Sequence, residues 1–221
     1  MCFTPAVSLT TAIIEWALAI VLLAFYRRST LRVFGAVLLF LLGAYQFGEF
    51  MLCTASNAEI WGTVAFLSYA FLPAVGLHAI AAYLRRPVKR ALIYCLPAVF
   101  AFVAVAQEPF IRHAACETLF VTIRTYFSAG IPWMAFAAYY FGYILAAFLM
   151  LRNALRTERG SRKTACRWLL AAIFLMFIPT LVLMIIFPAL RIRFPSILCH
   201  FALLTAVAFF IAVHKDGKRK A

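Results

Sequence analysis

The stretch Val33–Met51 reads VFGAVLLFLLGAYQFGEFM, and its 19 residues carry a single formal charge, Glu49. Crossing the hydrocarbon core of a bilayer takes about 20 residues at about 1.5 Å rise each. This run therefore predicts a membrane helix, and the carboxylate inside it needs a reason to be there. Apolar residues occupy all of its faces rather than one stripe, as expected of a helix whose solvent is lipid. Working outward, runs of the same kind predict spans at 6–26, 32–54, 60–84, 90–106, 130–151, 168–188 and 194–213, the fourth being the shortest. The composition agrees: 67% of the 221 residues are hydrophobic and 13% charged, whereas a soluble domain is nearer half apolar and a quarter charged. The expected fold is all-α, an integral membrane seven-helix bundle forming one transmembrane domain over 1–221. The first run lacks a basic leader and a small-residue cleavage site, so it reads as a retained helix.

The net charge of +14 would suggest nucleic acid in a soluble protein. Here the basic residues cluster between apolar runs, the pattern of cytoplasmic membrane loops, and no nucleic-acid partner is expected. Seventeen of the 21 fall in segments 27–32, 85–90, 152–167 and 215–220, all on one side of the alternating spans. Arg112, Arg124, Arg191 and Arg193 fall on the other. The positive-inside rule then puts the amino terminus outside and the carboxyl terminus inside.

That orientation sorts the cysteines. Cys2, Cys53, Cys116 and Cys199 lie at or near the outer face, Cys95 and Cys166 at the inner one. An oxidising exterior favours bridges, and four outer cysteines allow two bridges in three pairings. A Cys2–Cys199 bridge would pin the amino-terminal segment over the bundle beside the last helix. Cys53–Cys116 would be its companion if the outer loop 107–129 folds back on the second helix. Within that loop TLFVTIRTYF (118–127) is rich in β-branched and aromatic residues, predicting a short hairpin or a lid over the bundle.

Polar residues inside the spans are costly in lipid and should face the bundle interior. Ser8, Thr11 and Glu15 share one face of the first helix, and Gln46, Glu49 and Cys53 one face of the second. Ser196, Cys199 and His200 open the last helix. Glu49 and His200 each lie about five residues, roughly 8 Å, inside the outer edge. Glu49, Gln46, Glu15 and His200 are thus candidate ligand-binding residues of an outward-facing polar pocket, with Gln46 the nearest amide donor to Glu49 and Cys53 at the entrance. A carboxylate, an imidazole and thiols suit a proton or metal, but no metal set is assigned and no cofactor is implied. His78, His113 and His214 lie elsewhere and do not converge. His78 is expected to bond between helices or to meet the headgroups, and Tyr139, Tyr140 and Tyr143 to serve packing and interface anchoring.

Several functions are disfavoured. All five lysines lie in loops or the tail, so a retinal Schiff base has no partner, and no P-loop, dinucleotide fingerprint or His-Glu-x-x-His occurs. Two functions stay open. One is a sensor or receptor-like module binding a small ligand or ion near Glu49 and signalling through a cytoplasmic protein at loop 152–167. The other is a membrane-embedded enzyme using Glu49 and the outer cysteines in thiol, metal or lipid-headgroup chemistry.

The opening MCFTPAVSLTTA, the segment YQFGEF (45–50) and the segment FPSILCHFALL (194–204) together resemble an uncharacterised family of small bacterial multi-pass membrane proteins. Those chains open Met-Cys-Phe-Ser, carry Gln-x-x-Glu in the second helix and begin the last with Ser-x-x-Cys. The resemblance implies a bacterial inner membrane and directs attention to Cys2, Gln46, Glu49, Ser196 and Cys199. Thr4 replaces the serine and His200 an aromatic residue. The family has no established activity, so the resemblance supplies no reaction.

Overall fold

The computed structural model describes residues 5–116, 121–189 and 198–217. They form seven α-helices: α1 (Pro5–Phe25), α2 (Thr30–Thr54), α3 (Ala58–Tyr83), α4 (Arg90–Ala106), α5 (Gly130–Thr157), α6 (Gly160–Ala189) and α7 (Leu198–Gly217). Between α4 and α5 an antiparallel hairpin, β1 (Ile111–Cys116) and β2 (Val121–Thr125), runs into a 3-10 turn at Tyr126–Ser128. The chain is all-α but for that hairpin. The helices α1, α2, α3 and α5 are each long and apolar enough to cross a bilayer. At 17 residues α4 is shorter, as expected.

Local chemistry explains several boundaries. Ser29 caps α2 by accepting the Arg32 N–H at 3.2 Å, and Asn57 caps α3 by accepting the Ile60 N–H at 3.3 Å. Gly130 and Gly160 start α5 and α6 at φ of +70° and +59°, a left-handed backbone that glycine adopts without steric cost. The expected long basic loop 152–167 is corrected: α5 continues to Thr157 and α6 begins at Gly160, leaving only Glu158 and Arg159 between them. Arg, Leu, Ala and Lys are strong helix formers. Hydropathy marks where the apolar run ends, not where the helix ends.

The helices close into a ring. The most extensive contacts join α1 to α2, α2 to α3 and α6 to α7. The fifth helix bridges α3 and α6, and α7 returns to α1 and α2, while α4 packs on the outside of α3. Small residues allow close approach, as in membrane helix interfaces. A Cβ on Gly43 would lie 2.5 Å from the Trp16 ring, and one on Gly48 would lie 2.8 Å from the Ala65 Cβ. Outward faces carry large apolar side chains, with Ile20, Phe25, Phe40, Phe102 and Ile131 all more than half exposed.

The end away from the hairpin holds a buried aliphatic cluster that includes Leu31, Leu39, Ile80, Leu151, Leu169 and Val213. Polar bonds latch α7 there. Tyr26 Oη lies 3.0 Å from His214 Nδ1, and Tyr83 donates to Asp216 at 3.0 Å. Ser161 donates to the Lys215 carbonyl at 3.0 Å. As expected, His78 bonds between helices, with Nδ1 3.0 Å from Tyr94 Oη of α4.

The hairpin is not contained in 118–127: that run supplies β2 and the start of the 3-10 turn, while β1 comes from the residues before it, and the hairpin is tied to the bundle three ways. The Glu59 carboxylate accepts the Phe110 N–H at 2.6 Å and the Ile111 N–H at 3.1 Å. Cys53 of α2 is bridged to Cys116 at the far end of β1. Phe110 and Phe127 sink into an aromatic cluster with Phe66, Phe100 and Phe136, where the Phe66 and Phe127 rings stack at 5.3 Å. The Cys2–Cys199 pairing lies outside the described residues.

Candidate functional site

The polar residues expected to face inward do so. Ser8, Thr11 and Glu15 are buried along one stripe of α1, and Gln46 and Glu49 are 0% and 1% exposed on α2. Thr11 donates to the Val7 carbonyl at 2.9 Å, within its own helix. Glu49 accepts a 2.6 Å hydrogen bond from Tyr45 Oη, one turn earlier. The expected donor, Gln46, is not used. In an α-helix residues i and i+4 lie one above the other, and the tyrosine hydroxyl reaches what the shorter amide does not. Among the described residues, both side-chain polar atoms of Gln46 and both carboxylate oxygens of Glu15 lack a hydrogen-bond partner. Bare polar groups in such a setting are expensive. Cys53, expected at a pocket entrance, is consumed in the bridge to Cys116. The side chains of Cys199 and His200, and all of Cys2 and Ser196, lie outside the described residues. Among the described residues no group of three or more His, Cys, Asp or Glu side chains is arranged to hold a metal ion.

A large cavity lies elsewhere among the described residues, in the middle of the helix ring. Its volume is about 1250 Å³, and its wall is drawn from α2, α3, α5, α6, α7 and the hairpin. Pro73 and Gly76 put little bulk on the α3 wall, and a Cβ on Gly76 would meet nothing within 4 Å. From the level of Phe66 to that of Ile80 the α3 wall is about 21 Å long at 1.5 Å rise per residue. The body is aliphatic and aromatic, including Leu38, Leu42, Leu72, Ile173, Phe177 and Phe209. The floor merges into the aliphatic cluster through Leu39, Ile80 and Leu169.

The hairpin roofs this space. Arg112, His113, Ile123, Arg124 and Thr125 line its mouth. A β-bulge sets the geometry: Ile111 pairs with Thr125 and His113 with Arg124, so Arg112 is the extra residue of β1. A bulge re-aims the side chains around it. Arg112 also lies over the Tyr126 ring, 5.4 Å from its centroid.

Glu15, Gln46 and Glu49 do not line the cavity. A layer of tyrosines stands between: Tyr45, the donor to Glu49, lies 5.9 Å from the Tyr69 ring, and Tyr69 stacks on Tyr140 at 4.5 Å. Tyr69 and Tyr140 are both in the cavity wall. Tyr139 packs behind it, donating to the Ala70 carbonyl at 2.6 Å. Sequence reasoning found the buried polar face but missed the cavity, its arginine mouth and the Glu59 clamp. Glu59 reads in sequence as an acid favouring a helix N-terminus. The mouth arginines read only as loop charges, and their one local signal is the β-branched run around Arg124. No family model, no curated protein and no solved structure matches this chain.

Proposed function

We propose that the chain is a seven-span protein of a cytoplasmic membrane, amino terminus outside, that holds a small apolar ligand in its central cavity beneath an external hairpin. It is a binding module of receptor or carrier type. The observation that carries this reading is the cavity itself: about 1250 Å³, apolar, and covered by a hairpin tethered at three points. Ligand sites are commonly apolar chambers of roughly 300–1,000 Å³ with a few placed polar groups, and a tethered roof is a built feature rather than a packing accident. Lipid-facing outer surfaces and the bias of Lys and Arg to one end support the membrane setting and orientation. A bacterial source follows only from the resemblance described above.

The alternative, a membrane enzyme using Glu49 with outer cysteines, draws less support. Cys53 and Cys116 are spent on each other, and Glu49 sits behind the tyrosine layer rather than in the chamber. The test of the binding reading is substitution into empty space. Gly76→Phe should project a ring from the α3 wall into the chamber and obstruct it while preserving the fold. Native mass spectrometry of protein extracted from membranes should show a copurified small molecule on the wild type and none on Gly76→Phe. Identical spectra, both without ligand, would sink the reading.

A further inference from the structure

Resting on that reading, we infer that the ligand is a long-chain lipid with an acidic headgroup, a carboxylate or a phosphate, seated with its head at Arg112 and Arg124 and its tail in the apolar body. Among the described residues the only formally charged ones lining the chamber are these two arginines, and both are at the hairpin mouth. Among the described residues no aspartate or glutamate lines it, so a cationic or zwitterionic head would find no counter-charge for its ammonium there. Neither arginine has an ion-pair partner among the described residues, where the one salt bridge is Arg162–Glu158 at the opposite end.

The bulge places Arg112 and His113 opposite Arg124 in the strand register, so both arginines belong to one stretch of the rim. Guanidinium groups match carboxylate and phosphate oxygens through paired N–H bonds. An anion there would gain charge-assisted bonds. The hairpin position is fixed by Glu59, by the bridge to Cys53 and by Phe110, so the rim is held before the ligand arrives. Below it, a narrow apolar wall about 21 Å long suits an extended acyl tail.

The experiment uses full-length protein in nonionic detergent, stripped of lipid and titrated with four probes: palmitate, methyl palmitate, phosphatidylglycerol and phosphatidylcholine. Palmitate should bind about tenfold or more tightly than its methyl ester if a carboxylate is the natural head. Phosphatidylglycerol should exceed phosphatidylcholine by a similar factor if the head is a phosphodiester. Arg112→Gln with Arg124→Gln should abolish that preference and its salt dependence, leaving the uncharged probe unaffected, and both variants should melt like wild type. Equal affinity for charged and uncharged probes, or a preference that survives the double variant, would overturn the acidic-head assignment while Gly76→Phe still blocks binding. Failure of all four probes on wild type, with Gly76→Phe indistinguishable, would overturn the cavity reading and this inference with it.

Discussion

Glu59 carries more of the architecture than its position in the first turn of α3 suggests. Its carboxylate receives two backbone N–H groups at the start of β1, and bonds to a charged acceptor contribute about 1.5–3 kcal/mol each. Glu59→Ala should therefore destabilise the protein by about 3–6 kcal/mol, read as a lower melting temperature in detergent, with faster proteolysis near residue 110. Tyr45→Phe removes the hydroxyl that Glu49 accepts and should cost about 1 kcal/mol, the usual scale for one such bond. At this scale the sequence was informative where lipid imposes a penalty. Glu15, Gln46 and Glu49 had to face inward because a carboxylate or amide toward lipid is expensive. It was silent on Glu59, Arg112 and Arg124, whose roles come from contacts between segments about 50 residues apart and from a bulge in strand pairing.

Among the elements, β2 was legible from its β-branched run, and the bridge between Cys53 and Cys116 was one of three pairings, expected only if the outer loop folded back. The register was not legible, because a single extra residue at Arg112 has no composition signal. Reducing the protein, or replacing Cys53 and Cys116 by Ala, should cost about 2–5 kcal/mol without releasing the hairpin, since Glu59 and Phe110 still hold β1. Peptide mapping of non-reduced protein should return the Cys53–Cys116 pair. The helix interfaces allow a sharper contrast. Gly43→Ala would drive a methyl into the Trp16 ring and should destabilise by about 1–3 kcal/mol. Gly76→Ala meets open space and should be neutral or stabilising by up to about 1 kcal/mol. Paired melting curves of the two variants measure the difference directly.

For the whole molecule, the charge count makes a prediction that side-chain geometry does not. A reporter fused behind residue 217 should lie in the cytoplasm. A reporter exported to the outer side would reverse the orientation. Seven helices were legible because the apolar runs are interrupted by charged stretches at 27–32, 85–90 and 152–167 and by the polar turn at 54–57. The chamber was not, since a void among apolar walls leaves no mark on hydropathy.

The uneven packing of the ring has a consequence for how the protein is put together. One half is α1 to α5, the other is the α6–α7 pair, and the two meet around the chamber, joined covalently in the described residues only through the Glu158–Arg159 turn between α5 and α6. The chamber is therefore a seam. Two coexpressed fragments cut at that turn should reassemble, because each half buries its own interfaces before they dock. Whatever fills the seam touches both halves at once and acts as an adhesive: its presence would be read as slower exchange of the fragments, well before its identity is known.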